Sequence, residues 1–281
     1  MTVAIVTDSG SDMSPDQLRD QGIRQVALTV SIGDRRWLAP DELAPEEFWR
    51  LMQTPGTPMA QTAAPSAGQF RQAFEEAFAS GADEVVCVCI SETLSSTVGS
   101  ARLGAQMLPD RRIHCVDSRQ VSMALGPMAQ HAASMAAAGA SGAEILERMT
   151  ALSAQTKWYV ALETLEYLRR GGRISPARAA IGGLLSVKPI VTGVDGIVVP
   201  ADSPRTRARA RARMIELFAD RPLLELHMLY APPAEVDSLR DEILARLPGP
   251  APRIVTTNIL GPVIGTHVGP GAYGAAMIYL T

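Results

Sequence analysis

The commonest marks of a catalytic site are missing from this chain. It has no G-x-x-x-x-G-K-[ST] phosphate loop, no H-E-x-x-H metal helix, no C-x-x-C pair and no G-x-S-x-G elbow. An excess of one charge is missing too: 26 Lys and Arg against 29 Asp and Glu leave a net charge of -3. That balance gives no reason to expect nucleic acid or an anionic membrane as partner. No apolar run is long enough to span a bilayer, so stable membrane insertion is not expected. Met1 to Asp8 leads straight into a strand with no basic n-region or long apolar h-region, so no signal peptide is expected and the cytoplasm is the expected compartment. Cysteine is scarce and odd in number; Cys87, Cys89 and Cys115 all sit in apolar, strand-like runs. Alternate residues of a buried strand account for Cys87 and Cys89 better than a metal or redox pair does.

What is present is a core. Hydrophobic residues make up 47% of the 281, and charged residues 20%, the composition of a soluble globular protein with one large or two ordinary domains. Val3–Thr7 reads as a strand ending in the polar loop Asp8-Ser-Gly-Ser-Asp12. Three capping boxes open helices, at Ser14 with Gln17, Ser66 with Gln69, and Ser141 with Glu144; the second helix lines up Phe70, Phe74 and Phe78 on one face. Val26–Ile32 and Arg35–Leu38 flank Gly33-Asp34 as a hairpin, and Thr54–Pro65 reads as a loop. Glu84–Ile90 and Ile113–Val116 are buried strands, and Met123–Ala138 is helical, its methionines read as core packing.

From about residue 156 the pattern changes. Trp158–Ala161, Lys188–Thr192, Ile197–Ala201, Leu224–Tyr230 and Arg253–Asn258 read as strands, with Asp195-Gly196 as a hairpin turn. Helices are expected over Thr164–Arg170, after Pro176, over Pro204–Asp220 and over Ala234–Leu247. The sequence therefore predicts an α/β chain of two domains: a parallel-sheet α/β domain over 1–156, and an α+β domain over 157–281 with a mainly antiparallel sheet covered on one side. The alternating arginines from Arg205 to Arg213 scatter around a helix and read as a solvated basic face.

Two features carry chemistry. The predicted parallel strands end in hydroxyls and carboxylates, Thr7-Asp8-Ser9, Ser91 to Thr97 and Asp117-Ser118. Ligands bind at such strand ends in open α/β sheets, although Ser, Thr and Asp also cap the helices that follow. The second is Gly261-Pro-Val-Ile-Gly-Thr-His-Val-Gly-Pro-Gly-Ala-Tyr-Gly274, a glycine- and proline-shaped loop around His267. Its G-x-G-x-x-G, Gly269 to Gly274, is not a dinucleotide fingerprint, because a final strand follows in place of a helix and an acidic residue. Thr62, the Ser95 cluster and His267 can donate hydrogen bonds to a carboxylate, or a Ser–His pair can be nucleophile and base in acyl hydrolysis. Composition leaves both readings open. A structural role also exists for His267, as a cap on a backbone carbonyl.

The chain resembles the DegV family, fatty-acid-binding proteins of bacteria that present a bound acyl chain to a separate fatty acid kinase. The matching segments are Ile5-Val-Thr-Asp-Ser9, Thr62-Ala-Ala-Pro-Ser66, Ile90-Ser-Glu-Thr-Leu-Ser-Ser-Thr97 and Val116-Asp-Ser118. Leu165-Glu-Tyr-Leu-Arg-Arg-Gly-Gly-Arg-Ile-Ser175, Lys188-Pro-Ile190 and Gly261 to Ala272 complete the set. The resemblance implies a lipid tunnel between two domains, a long-chain fatty acid as ligand, and no cofactor or catalytic residue. It places the carboxylate at Thr62, Ser95 and His267, with Ser96, Gly265 and Thr266 as secondary contacts. Arg173, after Gly171-Gly172, is expected near the mouth as a kinase-facing residue, or else paired with the carbonyls ending the preceding helix. Two departures stand out: the family usually reads T-S-Q-P-S where this chain has Thr62-Ala-Ala-Pro-Ser66, and glycine where it has Ser96.

Overall fold

The computed structural model describes residues 2–174 and 187–280. In chain order its strands are β1 Val3–Asp8, β2 Arg24–Val26, β3 Leu28–Ile32, β4 Arg35–Ala39, β5 Ala60–Ala63, β6 Glu84–Cys89 and β7 Arg112–Asp117. They continue with β8 Thr156–Ala161, β9 Ile190–Val194, β10 Ile197–Asp202, β11 Leu223–Tyr230, β12 Ile254–Ile259 and β13 Tyr273–Tyr279. They form three sheets, ordered β2-β1-β6-β7, β4-β3-β5 and β10-β9-β8-β13-β11-β12.

The first sheet is wholly parallel and buried on both faces. The period of two along β6 sorts its side chains. Val85, Cys87 and Cys89 face the Ala67–Ala79 and Thr97–Gln106 helices, with Phe70 and Phe74, while Val86 and Val88 face the Gly126–Ala137 and Gly142–Gln155 helices, with Met128, Ile145 and Met149. The two strand cysteines are therefore packing residues, and burial pushes the Cys87 thiol up and that of Cys115 to about 12. All three capping boxes form, with both reciprocal hydrogen bonds in place.

The six-stranded sheet is antiparallel except for the β11–β12 pair. Its β9–β10 hairpin turns on Asp195 and Gly196, with φ of 50° and 78°, as a two-residue primed turn requires. One face packs on Met214, Ile215, Phe218, Leu239 and Ile243 of the Arg207–Phe218 and Asp237–Arg246 helices. The opposite face, with Trp158, Val160, Val191 and Val198, joins a core that also holds Val30, Ile90 and Met128 of the first half. That shared core is where the site lies. Arg207, Arg211 and Arg213 of the arginine-rich helix pair with Glu163, Glu242, and Asp202 and Glu216.

Three expectations need correcting. The run from Val26 to Ile32 is two strands in two sheets, divided where the Leu28 amide donates to Ser9 Oγ. The Thr54–Pro65 loop contains β5, which pairs with β3 in the third sheet; Ala-Gln-Thr-Ala has little strand propensity, and tertiary pairing supplies what propensity does not. The glycine-rich segment around His267 is a helix, Pro262–Val268, with proline at its first position and Gly269 ending it at a φ of 75°. The helix expected after Pro176 lies outside the described residues.

Candidate functional site

The Pro262–Val268 helix is fixed from several sides. Trp49 Nε1 donates to Leu260 O at 2.7 Å, and the Gly261 amide donates to Asp12 Oδ1 at 3.2 Å. Gly265 faces the Phe48 and Trp49 rings, where a Cβ would come within 2.6 and 2.7 Å of ring carbons. Tyr167 covers Gly269, and Gly171 leaves just enough room for the imidazole that a Cβ there would collide with His267 Nδ1. Glycine thus brings the helix against its neighbours, and His267 in its last turn is carried to β5.

There His267 Nε2 lies 2.9 Å from Thr62 Oγ1. Its Nδ1 is buried with no hydrogen-bond partner among the described residues. Burial, reinforced by the Arg173 charge, pulls the imidazole down to about 4, so it is neutral at neutral pH. Arg173 does not stand out from the helix end. It folds back, donating from Nε to Leu94 O at 3.0 Å and from Nη1 to Gly171 O, the latter being the helix-end pairing named above. Ser95, next to Leu94, shares a 2.7 Å hydrogen bond with Thr97.

Thr62, Ser95, Arg173 and His267 all line one apolar channel. Its walls are Val160, Val191 and Val198 of the antiparallel sheet, Leu28 and Ile90 of the first half, and Val263 and Ile264 of the His267 helix. The free space between these walls and its opening is about 790 Å³. Thr62, Arg173 and His267 also border a polar vestibule with Gln61, Tyr167, Arg170 and Thr266. These three residues therefore form the partition between a dry channel and a wet mouth.

The structure brings together Thr62, Ser95, His267 and Arg173 of the residues expected from sequence. Ser96 is exposed and lines neither space, Gly265 faces the aromatic rings, and the Thr266 hydroxyl is used on Pro262 O at 2.8 Å. Most strand-end hydroxyls and carboxylates serve the fold: Thr7 donates to Val88 O, Asp8 accepts from the Ile90 and Gly10 amides, Ser91 donates to Gly196 O, and Asp117 accepts from the Glu92 amide. Two residues went unread. Asp12 and Ser122, both left-handed with φ of 53° and 54°, share a 2.5 Å hydrogen bond, and Ser122 lines the channel. Asp is enriched in the left-handed region, but Ser is not, and neither residue type alone marks such a position. Burial pushes Asp12 up to about 7 and the nearby Asp8 to about 6.

This arrangement suits holding a head group better than nucleophilic attack. Ser95 is bonded to Thr97, not to the imidazole. Among the described residues the Thr62–His267 pair has no third group on Nδ1 to orient it, and an imidazole held near 4 is a weak base. The described residues contain no group of three or more His, Cys, Asp or Glu able to hold a metal.

Comparison with known proteins agrees in one direction. A family model described as "Uncharacterised protein, DegV family" matches residues 2–280. A DegV domain-containing protein of Streptomyces coelicolor is 35% identical over 280 residues, covering 98% of each chain. Among solved structures, a DegV family protein from Thermus thermophilus, described for its fatty acid binding, superposes with a TM-score of 0.90 at 33% identity over 100% of both chains. DegV of Bacillus subtilis, a fatty acid binding protein, does so with 0.89 at 27% identity, again over 100% of both. The chain belongs to the DegV family.

Proposed function

We propose that the chain binds a long-chain fatty acid, its tail in the apolar channel and its carboxylate held by Thr62, Ser95 and His267. The single observation that carries this reading is the junction itself: an apolar channel that meets a polar vestibule at Thr62 and a neutral His267 whose buried Nδ1 has no partner among the described residues. Burying roughly 15 methylenes at about 0.8 kcal/mol each would contribute about 12 kcal/mol before the costs of association. The head group then needs satisfying rather than strong pairing, and neutral donors do that. Ser96, Gly265 and Thr266 support this end from behind, by heading a helix, by close packing and by the helix's own hydrogen bonding. The domain boundary near 156 follows the division of strands between the parallel and the antiparallel sheet.

The protein acts as a carrier, with no catalytic residue or cofactor of its own. It presents the carboxylate at the vestibule to a separate fatty acid kinase, which docks beside Arg173 and forms the acyl phosphate. The setting is the bacterial cytoplasm, and the carrier neither binds nucleic acid nor inserts stably in membrane. Among the described residues no helix is long and apolar enough to cross one. Calorimetric titration with palmitate, palmitoyl alcohol and methyl palmitate tests the head-group assignment. The acid should bind at least tenfold more tightly than either neutral analogue; equal affinities would contradict it. Addition of ATP and a purified fatty acid kinase should yield acyl phosphate only when the loaded carrier is present.

A further inference from the structure

The antiparallel sheet presents to the channel Trp158 and Val160 on β8, Val191 on β9, Val198 on β10 and Leu229 on β11. The register pairs Val160 with Val191 and Val198 with Gly193. Gly193 is therefore on the same face, two residues on from Val191, yet it does not line the channel. The reason is the Trp158 indole, which covers it. A Cβ built on Gly193 would come within 2.9 Å of Trp158 Nε1 and 3.0 Å of Cε2 and Cζ2. The ring occupies space that a side chain at 193 would claim. Trp158 is 7% exposed and packs in the core shared by the two halves. The Trp158 backbone is fixed by Thr192 Oγ1 donating to its carbonyl at 2.7 Å.

We propose that the Trp158–Gly193 pair is the gauge that sets how much acyl chain the channel accepts. This rests on the fatty-acid reading above and adds the residue that decides the ligand's length. The ring has one direction to move when Gly193 gains a side chain: off the sheet and into the channel. Removal of the ring has the opposite effect, joining the space over Gly193 to the channel. The two substitutions therefore move the preferred ligand in opposite senses, which a general loss of packing does not do.

The test uses the full chain and an equimolar mixture of straight-chain saturated acids from dodecanoate to eicosanoate, the bound species being quantified by mass spectrometry of the organic extract. Gly193→Ala should shift the bound distribution toward shorter acids, and Trp158→Leu toward longer ones. Each pair of methylenes excluded or admitted should change the ratio of adjacent even-numbered acids by about tenfold. Gly193→Ala with Trp158→Leu should behave as Trp158→Leu, because no indole is left to lift. Unchanged profiles, or shifts in the same sense, would overturn the gauge while leaving fatty-acid binding intact. If Gly193→Ala does not fold, an unchanged profile for Trp158→Leu alone is enough to overturn it. A wild-type chain that retains none of the acids would overturn the fatty-acid reading, and the gauge with it.

Discussion

Asp12 offers a quantitative handle on the site. Its carboxylate accepts from the Ser122 hydroxyl at the channel wall and from the Gly261 amide that opens the His267 helix. Burial nevertheless dominates, raising it from 3.8 to about 7. A folded-state pKa above the unfolded one means that the folded state holds the proton more tightly. The contribution to stability is present in full below about pH 4 and is lost as pH rises through about 7. The loss over that window is roughly 4 kcal/mol, from 3.2 units at about 1.4 kcal/mol each. Asparagine tolerates the left-handed backbone, can accept from Gly261 and can donate to Ser122. Asp12→Asn should therefore match the wild type below about pH 4 and gain progressively toward about pH 8, where most of that energy is recovered. Urea unfolding of both proteins across this range is the assay. His267 titrates there alike in both proteins, whereas Asp8, whose charge helps to raise Asp12, contributes to the difference together with residue 12. If the variant is destabilised by a constant amount at every pH, the carboxylate is ionised and well paired, and the reasoning fails.

Other expectations follow from the same geometry. Thr62→Ala and His267→Ala should each weaken palmitate binding by about 1–3 kcal/mol, as measured by calorimetry, because each removes a donor at the carboxylate end. The His267 pKa is pulled from 6.5 to about 4, so its share of stability is present above the upper value and lost as pH falls through the lower; His267→Gln should remove roughly 3 kcal/mol of acid sensitivity in urea unfolding. A fluorophosphonate probe should leave Ser95 unlabelled, since its partner is Thr97 and not an imidazole base; stoichiometric labelling would favour the hydrolase reading. Gly265→Ala should cost about 1–3 kcal/mol by overpacking against Phe48 and Trp49, visible as a lower Tm.

Legibility in the sequence followed the range of the forces involved. Capping boxes and the Asp195-Gly196 turn are local, and they form as written. The alternation that placed Cys87 and Cys89 in a core is nearly local, needing only a strand buried on both faces. β5 could not be read, because its four residues gain their strand from β3, some thirty positions earlier. The His267 segment was misread for another reason: Gly261-Pro262 and Gly269 are helix start and stop signals, but a helix of seven residues hidden among five glycines looks like a loop. Thr62, Ser95, Arg173 and His267 were found through residue type and resemblance, and the structure brings them to one channel. Asp12 and Ser122 were not, because a bond between residues 110 positions apart leaves no local trace.

The central claim is that the channel holds an acyl chain. Native mass spectrometry of the purified protein, followed by analysis of its organic extract, addresses it directly. One straight-chain fatty acid per chain is expected, either carried through purification or acquired on incubation with palmitate and oleate. A protein that stays at its bare polypeptide mass after that incubation would contradict it.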